Sequence, residues 1–496
     1  MLCTKCGIEL PDAVQSCPQC GHAESASTPA NPTEIGGSAA ASPMRAPLAA
    51  DETRSWNGGH WYDGLTLKHW NVLLGSFLGW VFDGYESYAL IVVLGPALKS
   101  LLSAEQLKSQ AVWAGLAIGI TLLGWGAGGL VGGILADYIG RKKMMMYSVF
   151  VYAVLSGLTA FSFSIGTLLV FRFLTGLALG SEWSTGISLI NETWPERARA
   201  KGAGFLQSGF GWGTLLAAGL WFLIADTKPF GFDTWRLMFA FGAIPALFVL
   251  YIRKGVDESE RWKTAIREKR WATTELSVQA NTGGESKRPF TLTEIFRDRE
   301  SRRRVLLAFG LSVTTMIGWY AVASWLALFT SSMAAREHLP SAASWGARVA
   351  MLYTVGAIIA YLLSGFMADA MGRRRFLLFT FVGSLILTPI TFRFTGTVAA
   401  MQFVAPLNGF FTLGCAYSWM AIYPAELFTS SVRATAISFI FNASRLVAWF
   451  FPIIAGTIIK SFGGVSNAAM ILGSVYILGL ILPWWMPETQ GKGLRG

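Results

Sequence analysis

Apolar residues come in long blocks along this chain, separated by shorter polar segments. Twelve such blocks follow a polar N-terminal tract, and most of them have the length of a membrane span. A helix of about 20 apolar residues crosses the hydrocarbon core of a bilayer. The pattern therefore predicts twelve transmembrane helices. They lie near residues 70–98, 111–136, 144–164, 168–191, 203–225, 236–252, 305–333, 346–368, 376–392, 398–421, 434–459 and 467–486.

One motif occurs twice, each time between two predicted helices. Gly133–Lys143 reads Gly-Ile-Leu-Ala-Asp-Tyr-Ile-Gly-Arg-Lys-Lys, and Gly365–Arg375, 232 positions later, reads Gly-Phe-Met-Ala-Asp-Ala-Met-Gly-Arg-Arg-Arg. We call these segments the first and second cassettes. Their recurrence indicates an internal duplication with six predicted helices in each half. A duplicated membrane bundle with its binding site between the halves is typical of secondary transporters.

Each cassette places an aspartate ahead of a glycine turn and a basic cluster. A carboxylate in that position can accept backbone N–H bonds and pair with Arg or Lys across the halves, and such pairs would latch one face of the bundle. An acidic and a basic residue seven positions apart recur in the same way, 234 positions on. Anchoring of the loops by positive charge alone is the alternative. The predicted gating residues are Asp137, Arg141, Asp369, Arg373, Glu192, Arg199, Glu426, Arg433 and Arg172.

Composition agrees with a membrane protein. Hydrophobic residues make up 53% of the chain and charged residues only 14%, whereas soluble domains average about a quarter charged. The net charge of +11 would suit a nucleic-acid partner, but most Lys and Arg fall in segments on one side of a twelve-helix bundle. That is the positive-inside bias, so we expect a lipid bilayer and no nucleic acid. It predicts a multi-pass protein of the cell inner (plasma) membrane with both termini cytoplasmic.

The N-terminal tract contains two Cys-x-x-Cys knuckles, at Cys3 and Cys6 and at Cys17 and Cys20. Four thiolates at this spacing resemble a zinc ribbon with one structural Zn²⁺. Disulfides are the alternative, which a cytoplasmic location disfavours. The module would either dock a cytoplasmic protein partner or be a stable appendage with no role in transport.

Changes in composition divide the chain into six parts. The predicted boundaries are 1–22 for the zinc-ribbon-like module, 23–65 for a flexible linker, 66–252 for the first half, 253–304 for a cytoplasmic central loop, 305–487 for the second half and 488–496 for a cytoplasmic tail. The linker assignment follows from its Ala, Ser, Pro and Gly content. No signal peptide precedes the first apolar block, so we expect that helix to direct insertion.

Several short motifs, taken in order, resemble the major facilitator superfamily over about residues 60–490, and in particular its metabolite:proton and sialate:proton symporter branches. They are 79–86, 172–176, 180–183, 192–195, 207–211, 235–236 and 257–262, and the tail 487–491 is similar to that of sugar porters. The resemblance implies two pseudo-symmetric six-helix halves that transport by alternating access, driven by a proton gradient. It does not identify the solute, and it does not cover the Cys-rich module.

Ionisable residues at membrane depth are the first candidates for function, because each costs free energy unless it is paired or hydrated. Asp83 and Glu86 are three residues apart on the first helix, hence on one face, where two carboxylates can share a proton. The resemblance ties an acidic residue at position 83 to proton coupling. Glu182 lies deep in the fourth helix. We predict that Asp83, Glu86 and Glu182 carry protons; structural ion pairing is the alternative.

Arg445 lies near the middle of the eleventh helix. A guanidinium at that depth needs an anion, which would be either Asp83 or a carboxylate of the substrate. Uncharged polar and aromatic residues at similar depth would complete the binding site, although helix packing explains each of them equally well. The predicted substrate-binding residues are Arg445, Asn442, Gln207, Trp319 and Tyr320.

These observations predict an all-α transporter that couples proton influx to uptake of a small organic anion, such as a monocarboxylate, a sialate or an aromatic acid. A neutral-sugar porter is the main alternative. A membrane sensor that signals through the Cys-rich module is a third. An enzyme is not expected, because no nucleophile–base pair or nucleotide loop occurs outside the predicted helices.

Overall fold

The computed structural model describes residues 59–224, 231–268 and 290–492. The predicted zinc ligands Cys3, Cys6, Cys17 and Cys20 lie outside this part of the chain, as do the linker up to residue 58 and residues 269–289 of the central loop. Within the described ranges no group of three or more His, Cys, Asp or Glu side chains could hold a metal ion.

The described chain is helical, and helices occur at all twelve predicted positions. We label them by bundle position. They are α1 Leu67–Leu101; α2 Gln110–Ile139; α3 Arg141–Thr159; α4 Ile165–Leu179 with Glu182–Thr193; α5 Glu196–Ile224; α6 Thr234–Phe241 with Pro245–Gly255; α7 Arg299–Arg336; α8 Ala342–Met371; α9 Arg373–Pro389; α10 Val398–Gly409 with Ala416–Ile422; α11 Arg433–Ala448 with Phe451–Ser461; and α12 Val465–Gly473 with Tyr476–Ile481. Short helices at Ala104–Leu107, Glu260–Arg267 and Thr291–Arg297 lie between them.

Ten helices in the described ranges are long and apolar enough to cross a membrane. The two bundle helices that fall short are α3, which begins with three basic residues, and α5, which begins with a charged turn. The surfaces that face away from the bundle are apolar; Phe163, Phe222 and Phe403, for example, are 82%, 83% and 77% exposed. Apolar residues on the outside of a helical bundle suit a hydrocarbon surrounding.

Close helix packing joins the two halves. Gly128 of α2 faces α4 so closely that a Cβ there would lie 1.9 Å from the carbonyl oxygen of Leu177, while Gly133 on another face of α2 meets Ser438 of α11. In the same way Gly365 of α8 meets the backbone of α5 at Ala200. Small residues let membrane helices approach to backbone distance. The interfaces α2–α11 and α5–α8 thus hold the halves together.

Both cassettes form the same helix–glycine–helix turn. The first ends α2 at Gly140, with φ of +103°, and the second ends α8 at Gly372, with φ of +88°. Side chains other than glycine are strained in this region of φ. Because α3 and α9 start at the next residue, the basic residues of each cassette form a first helical turn. We call the end of the bundle that carries both turns the cassette face.

Candidate functional site

Two carboxylates in the first half are fully buried and have no hydrogen-bond partner. Asp83 of α1 and Glu182 of α4 are both 0% exposed, and none of their four oxygens accepts a hydrogen bond. Glu182 lies against Gly79, one turn before Asp83, because a Cβ on Gly79 would be only 2.0 Å from its Oε1. The hydroxyl of Tyr152 on α3, close enough to interact electrostatically with both, is also buried without a partner.

Glu86, by contrast, forms an ion pair. Its Oε2 lies 3.1 Å from Nη1 of Arg172, with both side chains about 1% exposed, and its Oε1 accepts a hydrogen bond from Ser156. The guanidinium also donates to Thr159 and Thr175. All of these partners belong to the first half. The structure therefore groups Asp83 with Glu182 rather than with Glu86, and it places Arg172 away from the cassette face.

Arg445 of α11 is 6% exposed and has no carboxylate at ion-pair distance in the described chain. Its Nη1 donates to the carbonyl of Phe441, 2.8 Å away, one turn back on its own helix. Its guanidinium carbon lies 3.9 Å from the centroid of the Phe441 ring and 4.7 Å from that of Trp125. Asp83 is near enough to interact electrostatically but does not pair with it.

Rings from both halves meet beside Arg445. We call Trp80, Trp125, Trp183, Phe210 and Phe441 the aromatic cluster. Phe441, from the second half, stacks on Trp183 at 3.7 Å and lies 6.0 Å from Trp80. The buried indole N–H groups of Trp80 and Trp125 have no partner. Of these residues, the sequence singles out only Trp80, as an aromatic on the first helix that could stack on a substrate, because rings are abundant in every predicted helix and only tertiary packing shows which ones converge.

The other predicted substrate residues divide into two groups. Gln207 accepts a hydrogen bond from Trp183 at 2.7 Å, and Asn442 donates to Gly180 and Ser438, so both amides serve contacts between helices. Trp319 and Tyr320 remain near Arg445: Trp319 packs on Tyr417, and both tyrosines interact electrostatically with the guanidinium.

At the cassette face the α2–α11 interface holds a buried charge network. Arg141 pairs with Asp137 at 2.9 Å and with Glu192 at 3.1 Å, and Glu192 also pairs with Arg433 of the second half at 3.2 Å. All four side chains are 0% exposed. Asp137 additionally accepts from the backbone N–H and the hydroxyl of Thr435, at 2.9 and 2.6 Å. The Glu192–Arg433 ion pair and the Asp137–Thr435 hydrogen bonds cross between the halves, and the ionic partner of Asp137, Arg141, belongs to its own half.

The α5–α8 interface repeats this arrangement with two changes. Arg373 pairs with Asp369 at 2.8 Å and with Glu426 at 2.6 Å. The ammonium group of Lys201 forms an ion pair with Asp369. Lys201 occupies the position that corresponds to Thr435 in the duplication, so a charged group replaces a hydroxyl there. Arg199 lies near Glu426 but, in the described chain, pairs with no carboxylate and instead donates to Trp194.

Two glutamates cap the basic turns, and sequence analysis missed this role. Glu258 accepts the backbone N–H groups of Arg141 and Lys142 at 3.1 Å each, and Glu488 accepts those of Arg373 and Arg374 at 2.9 and 3.0 Å. A carboxylate at a helix N-terminus satisfies backbone donors that lack partners. Burial raises the pKa of Glu258 in spite of its hydrogen bonds. For Glu488 burial acts in the same direction, but four backbone N–H groups outweigh it and lower the pKa.

A short segment before the first helix of each half crosses an interface at the cassette face. Residues 60–66 place Trp61 edge-on against Phe366 of α8, at 5.8 Å. Residues 290–298 place the hydroxyl of Thr291 2.9 Å from that of Thr435 on α11. We call these segments the first and second straps. Trp61 and Thr291 are 230 positions apart, so the straps belong to the duplication although their sequences have diverged.

A twelve-position helical bundle, duplicated, with an apolar outer surface and buried ionisable groups, defines a multi-pass membrane transporter rather than an enzyme. The chain belongs to the family described as sugar (and other) transporter, whose model matches residues 89–496.

Known proteins of similar sequence are transporters of small metabolites. The chain is 29% identical over 430 residues to a Haemophilus influenzae protein named as a metabolite transport protein, covering 86% of this chain and 98% of that one. It is 28% identical over 432 residues to the cis,cis-muconate transport protein of Acinetobacter baylyi, covering 85% and 95%. The solved structure of the proton:xylose symporter XylE from E. coli has the same fold, with a TM-score of 0.69 at 19% identity, covering 86% of this chain and 98% of that one.

Proposed function

We propose that this protein is a proton-coupled symporter that imports a small organic anion by alternating access. The observation that carries the proposal is the set of buried ionisable groups without counterions. Asp83 and Glu182 have no partner, and Arg445, within electrostatic reach of Asp83, has no carboxylate at ion-pair distance.

The two carboxylates support proton coupling. An ionised carboxylate buried without hydrogen bonds costs several kcal/mol, and binding of a proton removes that cost. A site that alternates between the two sides of a membrane can therefore take up a proton on one side and release it on the other. Glu86 remains a candidate for coupling through its pair with Arg172, and Asp83 and Glu182 are the stronger candidates.

Arg445 supports an anionic substrate. A buried guanidinium with unused N–H donors is a strong site for a carboxylate, which it binds through two parallel hydrogen bonds. Its position beside rings from both halves suits the midplane, where transporters of duplicated architecture bind their substrates. One relative is named for transport of cis,cis-muconate, an organic anion.

The orientation of the chain in the membrane follows from charge. We assign the cassette face to the cytoplasm because its basic turns follow the positive-inside bias, and with it both termini and the central loop. In this orientation the described arrangement is closed toward the cytoplasm by the gating residues. The domain boundaries given by the sequence fit this assignment, with the cell inner membrane as the location.

A neutral-sugar porter is the second candidate, favoured by the family description and the fold of XylE. The sugar-porter-like tail does not decide between them, because Glu488 within it caps α9 and touches no central residue. Two amides that would suit hydroxyl groups, Gln207 and Asn442, each make one hydrogen bond to α4 or its central turn, and each keeps one buried polar atom, Nε2 and Oδ1 respectively, without a partner.

The experiment is uptake of radiolabelled compounds into proteoliposomes under an imposed inward proton gradient, with organic acids and neutral sugars applied in turn. Uptake is measured instead of current because one proton and one monocarboxylate together carry no net charge. We expect the gradient to drive uptake of acids, and Asp83→Asn to abolish this effect of the gradient. Glu105→Gln, a change at a carboxylate 82% exposed on a short loop helix, is the matched control and should leave gradient-driven uptake intact. Gradient-driven uptake that persists in Asp83→Asn would remove its coupling role, and uptake of sugars alone would favour the second candidate.

The Cys-rich module is a separate proposal. We expect the intact protein to contain one zinc ion held by Cys3, Cys6, Cys17 and Cys20, and to lose it in Cys3→Ser. Elemental analysis of both proteins tests this. Zinc loss without a change in transport would support an appendage, and lost transport would support a regulatory or docking role.

A further inference from the structure

The surroundings of Arg445 favour one class among organic acids. Trp183 and Arg445 both lie within 4 Å of the Phe441 ring centroid, at 3.7 and 3.9 Å, and two groups so close to one ring need its two faces. Trp125 adds a second ring at 4.7 Å from the guanidinium. The resulting column runs Trp183, Phe441, Arg445, Trp125, with members from both halves.

Aromatic rings that cover the faces of a guanidinium leave its N–H edge free to bind an anion. A carboxylate bound to that edge lies in the plane of the guanidinium. In a conjugated acid the carboxylate shares its plane with the rest of the molecule, so the ligand would continue flat between aromatic faces. A saturated or branched acid would instead meet the rings with hydrogen atoms out of that plane.

The polar groups around the column are mostly donors. The indole N–H groups of Trp80, Trp125 and Trp319 are buried without a partner, and Arg445 uses one donor on its own helix. Among the described residues of this region, the acceptors without a partner are the carboxylates of Asp83 and Glu182 and the amide Oδ1 of Asn442, the residue after Phe441. A polyhydroxylated ligand needs acceptors as well as donors, since each hydroxyl is both. A carboxylate on an apolar skeleton needs donors only.

We propose that the substrate is a planar, conjugated monocarboxylate whose carboxylate binds Arg445 and whose conjugated skeleton lies beside the rings of Trp125, Phe441 and Trp80. This inference rests on the proposed function and narrows it. It adds the three rings to the binding site and disfavours lactate-like acids and sialates.

The test compares two acids with equal charge and equal carbon number, benzoate and cyclohexanecarboxylate. Their binding to the intact purified protein is measured by titration calorimetry, with lactate, N-acetylneuraminate and xylose as further ligands. Well-oriented aromatic contacts add about 0.5–1.5 kcal/mol per pair, so we expect benzoate to bind about tenfold more tightly than its saturated analogue.

Variants of one helix give the matched control. Phe441→Leu keeps an apolar side chain but removes the ring. Because the contribution of the aromatic contact is then lost, the affinities for benzoate and cyclohexanecarboxylate should differ by no more than about twofold. Phe441→Tyr keeps the ring and should preserve the ratio. Phe439→Leu changes a ring on α11 that packs on Phe296 and Phe309 instead, and should also preserve it.

The outcomes separate this inference from the function on which it rests. Equal affinity of wild type for the two acids, or binding of lactate or N-acetylneuraminate without benzoate, would overturn the planar-acid inference and leave the organic-anion symporter intact. Binding of xylose with no acid bound would overturn both. If Phe441→Leu fails to fold, the ratio of the two affinities in the wild-type protein still tests the planar-acid inference.

Discussion

At the residue scale, two neighbouring carboxylates of α1 have different surroundings. Asp83 and Glu86 are three residues apart, yet one lies beside Glu182 without a hydrogen bond and the other pairs with Arg172. Helical spacing predicts that they share a face of α1, but it does not say which helix packs at each level. That is decided by α4, whose two segments bring Arg172 and Glu182 to different levels of α1.

The Glu86–Arg172 pair predicts a large loss of folding stability when one partner is removed. Glu86→Gln leaves a buried guanidinium without its counterion, which costs about 3–5 kcal/mol, whereas replacing both charges by uncharged groups is often nearly neutral. We therefore expect a lower melting temperature for Glu86→Gln in detergent and recovery in Glu86→Gln/Arg172→Met. An unchanged melting temperature of the single variant would contradict the pair. A stable double variant without proton-driven uptake would restore a coupling role to Glu86.

At the element scale, the capping glutamates predict a pH-dependent contribution to stability. Backbone donors lower the pKa of Glu488 in the folded protein below its ordinary value of 4.5. The ionised form thus favours folding above that pH, and the contribution disappears as the pH falls through the folded pKa. Glu488→Gln should cost about 1 kcal/mol, as loss of a helix cap does.

Thermal melting measured from pH 4 to pH 8 checks that prediction. The lower pH is about half a unit below the ordinary glutamate pKa, and the upper pH is well above it. The gap between wild type and Glu488→Gln should be widest at neutral pH and narrow on acidification. Glu258→Gln is the internal comparison: its folded pKa is raised, so ionisation costs stability there and loss of the charge should matter less. A gap for Glu488→Gln that is constant over pH would contradict the assignment.

The second strap predicts local rather than global destabilisation. Thr291→Val removes the hydroxyl that contacts Thr435 and keeps the shape of the side chain, at a cost of about 1 kcal/mol for one hydrogen bond. We expect faster hydrogen exchange around Asp137 and Thr435. Thr293→Val, at an exposed position on the same short helix, should leave exchange unchanged, and identical exchange in both variants would deny the strap a role in closure.

At the scale of the whole molecule, the two interfaces of the cassette face are unequal. The α2–α11 side is closed by a network that is 0% exposed and centred on Glu192, and the α5–α8 side includes the partly exposed pair Lys201–Asp369. Buried pairs respond strongly to loss of one partner, and exposed pairs contribute little. Opening of this face should therefore depend mainly on Glu192.

Distances between spin labels at positions 143 and 375, on the two cassettes, measure that dependence. Glu192→Gln should increase the population of longer distances, because Arg141 and Arg433 lose their shared anion. Lys201→Thr, which makes the second interface resemble the first, should change the distances less. A larger effect from Lys201→Thr would reverse the ranking of the interfaces.

Sequence by itself determined the membrane class, the helical bundle positions, the duplication and most residues of the ion pairs at the cassette face, because these depend on local composition and on a short repeated motif. It also indicated which charges lie at membrane depth. Only the tertiary structure decided which group lies next to each charge: Glu182 beside Asp83, Arg172 beside Glu86, and two rings beside Arg445. It also revealed the straps and the glutamate caps. The physical reason is that such contacts join residues distant in the chain, whose approach is fixed by helix packing between halves and leaves no periodic signal along the sequence.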